Sequence, residues 1–131
     1  MFKIMKKTTT SHIQNSNPNQ ISIDSCIKCI QMSQERLTMC PQELGVKDRI
    51  DCIKTLQDCS EFCIIVASYI NRSSESIEEI CDEGATICEH CATKCDMFQN
   101  QHSQTCANIC RQCASECRSM GYMNNLSNKN W

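Results

Sequence analysis

Between the polar ends of this chain no segment alternates polar and apolar residues with a period of two. Its most apolar-behaving positions, many of them cysteines, recur at intervals of three, four, seven or eleven. Such intervals return to one face of a helix with 3.6 residues per turn. Turn-forming residues interrupt the pattern at 41–45, 71–74 and 100–103. The pattern therefore predicts four helices, over 23–40, 46–70, 75–99 and 103–120. Ser22 and Ser74 are the expected N-caps and Gly121 the expected C-terminal stop. Short connections between long helices favour antiparallel neighbours, so the expected fold is all-α, an up-down-up-down four-helix bundle. That bundle is expected over 21–121, between a disordered N-terminal tail at 1–20 and a flexible C-terminal tail at 122–131, both polar and rich in Asn.

At about 100° per residue, Cys52, Cys59 and Cys63 fall within about 40° on the second helix. Cys106, Cys110, Cys113 and Cys117 span about 60° on the fourth, and Cys81, Cys88, Cys91 and Cys95 about 80° on the third. The first helix contributes Cys26, Cys29 and Cys40, with Ser33 and Leu37 as the inward positions between them. Lys, Glu, Asp, Gln and Arg occupy the opposite faces, so the cysteine stripes are expected to face the bundle axis.

Composition sharpens this picture. The chain has 131 residues, enough for one modest core, yet only 5% are aromatic and 14 are cysteine. Sulfur must fill volume that Leu and Phe usually take, and cysteine can do so as a small hydrophobe. A net charge of -2, without a basic run, excludes nucleic acid and anionic membrane as expected partners. No apolar run approaches the roughly 18 residues of a membrane span. The lysines of residues 1–10 lead into a polar stretch instead of an apolar secretory segment, so a cytoplasmic location is expected. In a reducing compartment, cysteine-rich chains are more often metal-binding or catalytic than disulfide-stapled. Cysteines three or four apart on one helix are also poorly placed for disulfide torsions.

Soft thiolates select copper(I), zinc or iron–sulfur clusters. Zinc sites use discrete quartets, usually from knuckles paired across a turn, whereas these stripes predict an extended column without separable quartets. Cys88, Cys91 and Cys95 mimic the end of an iron–sulfur run, but Asp96 stands where proline belongs and the segment reads as helix. Copper(I) tolerates low coordination, so the pairs Cys59/Cys63, Cys91/Cys95, Cys106/Cys110 and Cys113/Cys117 suit it. A copper(I) bis-thiolate carries one negative charge, and burying an ion costs several kcal/mol. Bridging thiolates dilute that charge, which favours clusters at high loading. Before metal arrives the same cost keeps the thiols protonated, with protons released on binding.

The stretches DCIKTLQDCSEFC, ICEHCATKC and HSQTCANICRQCASEC resemble the four-helix-bundle copper storage proteins, over roughly residues 24–120. The final helix carries the family's H-x3-C-x3-C-x2-C-x3-C run through His102, Cys106, Cys110, Cys113 and Cys117. The resemblance implies storage of multiple copper(I) ions inside the bundle, a homo-oligomer (commonly a tetramer), and the cytosolic branch of the family. Ser33 and Leu37 depart from it, since the family tends to place more cysteine on the first helix. The remaining alternatives are an iron–sulfur or zinc protein of electron transfer and a disulfide-stapled structural bundle. No catalytic constellation is evident, because a nucleophilic cysteine needs a base and an open pocket.

The two ends of the column differ. His102 falls on the sulfur stripe beside the end where Cys40, Cys52 and Cys95 emerge, either as an entrance ligand or as an exposed helix-start histidine. At the other end Ile23, Val66, Ile70 and Ile77 are expected to form an apolar plug, with Met120 as core filler or thioether ligand. His90 is expected to face outward. Gly84 marks either a close helix approach or room for metal. Ile50, Ile64, Ile65 and Tyr69 form an outer apolar strip that suggests self-association.

Overall fold

The computed structural model describes residues 17–43 and 45–129. Four helices make up the fold: α1 Pro18–Met39, α2 Ile50–Asn71, α3 Ile77–Cys95 and α4 Gln101–Lys129. Two 3-10 turns, Cys40–Gln42 and Val46–Arg49, link α1 to α2. The described residues contain no strand. Helix α1 packs on α2, α2 on α3, α3 on α4, and α4 closes the ring on α1, the arrangement of a four-helix bundle. None of these helices is long and apolar enough to cross a membrane.

Several boundaries differ from those expected. Residues 1–16 of the expected tail lie outside the described residues. Residues 18–20 are helical because Asn17 accepts a 2.8 Å hydrogen bond from the Gln20 N–H and Pro18 occupies the first helical turn. An Asn cap followed by proline is a strong start signal. Ser22 is accordingly no N-cap; it is buried, and its hydroxyl points toward the Glu116 carbonyl of α4.

Helix α2 ends in a Schellman motif. The Ser74 N–H donates to the Tyr69 carbonyl and the Ser73 N–H to that of Ile70, with Ser73 at a φ of 52°. Ser74 shapes the turn instead of capping α3: its hydroxyl accepts from the Ser76 N–H, the residue before Ile77. Helix α3 stops at Cys95, and α4 starts where the Asn100 side chain accepts from the Ser103 N–H at 2.8 Å.

Gly121 does not stop α4, which runs on to Lys129. A Cβ at Gly121 would sit 3.1 Å from Asp82 Oδ1 and 3.5 Å from the Glu78 carbonyl oxygen, so this glycine lets α4 lie against α3. Gly84 serves the same purpose between α3 and α2. A Cβ there would lie 2.7 Å from Val66 Cγ2, which identifies close helix approach as its role.

The buried residues repeat at intervals of three and four on every helix, as at a coiled-coil seam. On α1 they are Ser22, Cys26, Cys29, Ser33 and Arg36, continued by Cys40. Leu37 is only half-buried, so the inward position assigned to it belongs to Arg36. On α4 they include Ser103, Cys106, Cys110, Cys113, Cys117 and Met120. Val66, Ile70 and Ile77 close one end as expected, while Ile23 is half-buried beside Ser22.

Candidate metal centre

The seams of α1 to α4 bring all fourteen cysteines into the interior, each buried and each a free thiol. Their sulfurs touch across helices. Cys26 lies 4.0 Å from Cys113, Cys113 3.9 Å from Cys63, and Cys63 3.7 Å from Cys88. From Cys88 the run passes to Cys59 at 3.7 Å, to Cys29 at 3.4 Å and to Cys110 at 3.8 Å. Cys91 and Cys106 interact with Cys110 and with Cys95, and Cys95 lies 3.6 Å from Cys52. Cys117 joins Cys26 and Cys113. Cys81 and Cys40 stand at opposite ends of this column, within electrostatic reach of Cys26 and Cys52 respectively.

Three groups are tight enough to share an ion, their sulfurs lying within 4.8 Å of one another: Cys29/Cys63/Cys88/Cys113, Cys26/Cys113/Cys117 and Cys29/Cys59/Cys110. The first counts four sulfurs, as a zinc site would. It is not an isolated quartet, however, because Cys29 and Cys113 each belong also to a trio. Shared ligands of this kind suit bridging clusters of a soft monovalent ion better than separate tetrahedral zinc sites.

Helix periodicity missed the group at the Cys40 end. Arg36 is 1% exposed, and its Nη2 donates to Cys40 Sγ at 2.8 Å, to Glu43 Oε1 at 2.7 Å and to Ser103 Oγ at 3.3 Å. Glu43 also meets Arg49 Nη1 at 3.0 Å, and the Arg49 guanidinium lies over the Phe98 ring. Hydrogen bonding from Arg36 holds the Glu43 carboxyl below the usual range, with His102 among the lesser contributors. His102 itself is exposed in the first turn of α4, while its neighbour Ser103 takes the buried place. His90 is exposed, as expected.

Electrostatics within the column follow from burial and from the sulfurs' own hydrogen bonds. Burial, then the charges of Cys26 and Asp82, pushes the Cys81 thiol up to about 12. Burial also raises Cys40 against the pull of Arg36, and hydrogen bonding to Cys95 followed by burial raises Cys52. Cys26, Cys59 and Cys106 are lowered because neighbouring thiols donate to them, with burial opposing. Cys63 and Cys110 are raised by the reciprocal bonds and by burial. The first thiolate to form is therefore stabilised by its neighbours and makes each of them harder to ionise.

A pH dependence follows for the metal-free, reduced protein. Below the unfolded thiol value of 9.0 the folded and unfolded chains both keep the Cys81 proton. Above it the unfolded chain loses that proton while the fold retains it up to about 12. Stability is thus complete below 9.0 and is lost across that interval, by up to about 1.4 kcal/mol per pH unit for each such thiol. Thermal midpoints measured under reducing conditions from about pH 8 to about pH 11 are expected to fall steadily beyond 9. A flat profile would refute the assignment.

Comparison with known proteins places this geometry in context. Residues 15–122 match the sequence model of the copper storage protein family. The cysteine-rich protein YhjQ of Bacillus subtilis (strain 168) is 32% identical over 102 residues, covering 78% of this chain and 94% of that protein. The Cu(I)-bound copper storage protein BsCsp3 is 31% identical with a TM-score of 0.76, covering 80% of this chain and 99% of that one. A cytosolic copper storage protein from Streptomyces lividans, solved with five coppers, is 25% identical with a TM-score of 0.77, covering 80% and 92% of the two chains.

Proposed function

The chain belongs to the copper storage protein family, and on that premise we propose that it stores copper(I) on the thiolates of its bundle core. The observation that carries this reading is the unbroken run of free, buried sulfurs contributed by all four helices. A first ion entering such a run displaces two thiol protons, giving a bis-thiolate with one negative charge. Further ions bridge existing thiolates, so the ratio of metal to sulfur rises toward one and the charge per ion falls. The cooperating hydrogen bonds of the metal-free column stabilise that first thiolate, and neighbours already in contact supply the bridges.

All fourteen cysteines act as ligands in this reading, with His102 receiving ions at the exposed end. The working unit is the bundle of residues 21–121, and α4 extends beyond it. The protein sequesters its ions and catalyses no reaction on them. A cytoplasmic location is supported by the relative described as cytosolic. Self-association is supported by exposed Ile50, Ile64 and Ile65 on α2, and the family resemblance sets the assembly as a homotetramer; light scattering that returned a monomer or a dimer would remove it.

Anaerobic titration against a coloured copper(I) chelator tests the central claim. Uptake is expected to run well beyond the roughly three ions that separate tetrathiolate sites could take from fourteen thiols. Saturation at or below that level would overturn storage in favour of discrete sites.

A further inference from the structure

Two inward positions of α1 between Cys29 and Cys40 carry no sulfur. Ser33 and Arg36 fall in the same three-and-four repeat as Cys26, Cys29 and Cys40, and both are buried, at 0% and 1% exposure. Each brings a hydrogen-bond donor into the sulfur-lined interior, and each holds a polar atom without a partner: the Ser33 hydroxyl oxygen and Arg36 Nε. Glu43 accepts from both Nη atoms of Arg36, at 3.2 Å and 2.7 Å, so Nε is the guanidinium nitrogen left without a partner, and a buried donor left unmet carries a cost.

Arg36 and Arg49 both meet the carboxylate of Glu43, which brings two guanidinium groups to the Cys40 end of the column. Arg36 Nη2 already rests 2.8 Å from Cys40 Sγ. A column in which thiolates outnumber copper(I) ions is anionic, by one charge for each thiolate in excess. A fixed cation in the low-dielectric interior stabilises that excess far more than one in water.

We propose that Arg36, with Ser33 as a neutral second donor, is the built-in countercharge of the copper–thiolate cluster that forms at the Cys40 end of the column. This inference rests on the storage reading above. Arg36 touches a ligand sulfur without being a ligand, and its guanidinium stays charged at every working pH. Glu43 competes with the cluster for that guanidinium, so its carboxylate moderates how strongly the cluster is held. The arrangement predicts unequal effects on the empty and the loaded protein. An apolar chain at position 36 removes a buried charge from the empty bundle and removes compensation from the loaded one.

The test compares wild type with Arg36→Met, Arg36→Lys and Glu43→Gln, titrating each anaerobically with copper(I) against a chelating competitor and melting each empty. Arg36→Met is expected to hold its most weakly bound ions about tenfold less tightly, while its empty form, in which the partly exposed Glu43 keeps Arg49 as a partner, loses little stability. Arg36→Lys should recover most of the affinity, and Glu43→Gln should bind tighter than wild type. Unchanged copper affinity in Arg36→Met beside a lowered melting point would mark a purely structural arginine and overturn the proposal. Should Arg36→Met fail to fold, Glu43→Gln decides, and unchanged or looser binding by that variant overturns it. Wild-type uptake unaffected by these changes overturns the countercharge alone. Absence of uptake by wild type overturns the storage function and this inference with it.

Discussion

Filling the reduced protein with copper(I) is expected to raise its thermal midpoint by tens of degrees. The core contains few large apolar side chains, with Leu56, Val66 and Ile70 the largest fully buried ones and cysteine and alanine supplying much of the rest. Its intrinsic stability is correspondingly modest. Each ion held at a free concentration of a hundred times its dissociation constant adds about 2.7 kcal/mol. One kcal/mol moves the midpoint of a domain of this size by about 4 °C or more. Copper bound to the unfolded chain subtracts from this gain. An unfolded chain cannot hold sulfurs from four helices together, however, so the subtraction is partial. Anaerobic calorimetry of the empty, loaded and chelator-stripped forms measures the effect, and stripping should return the original melting curve. A shift of only a few degrees would mean that the ions sit on peripheral sites and not across the core.

The second large effect concerns which sulfurs matter. Cys29 belongs both to the central quartet and to the trio with Cys59 and Cys110, and Cys113 both to the quartet and to the trio with Cys26 and Cys117. Replacing both with alanine disrupts every tight sulfur group. The double variant Cys29→Ala/Cys113→Ala should therefore lose about half of the wild-type capacity, because bridging ligands serve more than one ion. Replacing Cys40 and Cys81 instead removes terminal sulfurs that belong to none of these groups, and should cost about one or two ions. Both doubles are expected to fold, since removing a sulfur leaves a smaller void than the leucine truncations that cost 2–5 kcal/mol each. Chelator-competed titration of the two variants side by side provides the measurement. Equal losses would show that the ions occupy independent pairs and that no bridging network exists.

The helices and the cysteine lining were legible in the sequence because cysteine behaves as a periodic apolar residue. Cys52, Cys59 and Cys63, or Cys106 to Cys117, mark the inner face as clearly as leucines would. Helix ends were less legible. Asn17–Pro18–Asn19 has the composition of a tail but the order of a cap and first turn, and Gly121 reads as a stop until α3 is seen lying against it. Arg36 is hard to place from sequence because a charge is expected to point outward, although the spacing from Cys26, Cys29 and Ser33 to Cys40 leads to position 36 and not to Leu37. The overlapping quartet and trios depend on how four helices are rotated about their axes, and the pattern along any one of them leaves that rotation open.

The Schellman turn after α2, the Asn100 cap of α4 and the glycines that let α3 approach both neighbours all draw on groups other than the cysteine sulfurs. Small thiolate-bound domains often follow the other course, in which the chain collapses when its ion departs and becomes a protease substrate. Here the ligands are held by a framework whose turns, caps and close helix contacts use no cysteine sulfur, so those contacts do not depend on the ions. One polypeptide can thus pass through repeated cycles of cellular abundance and scarcity without being resynthesised.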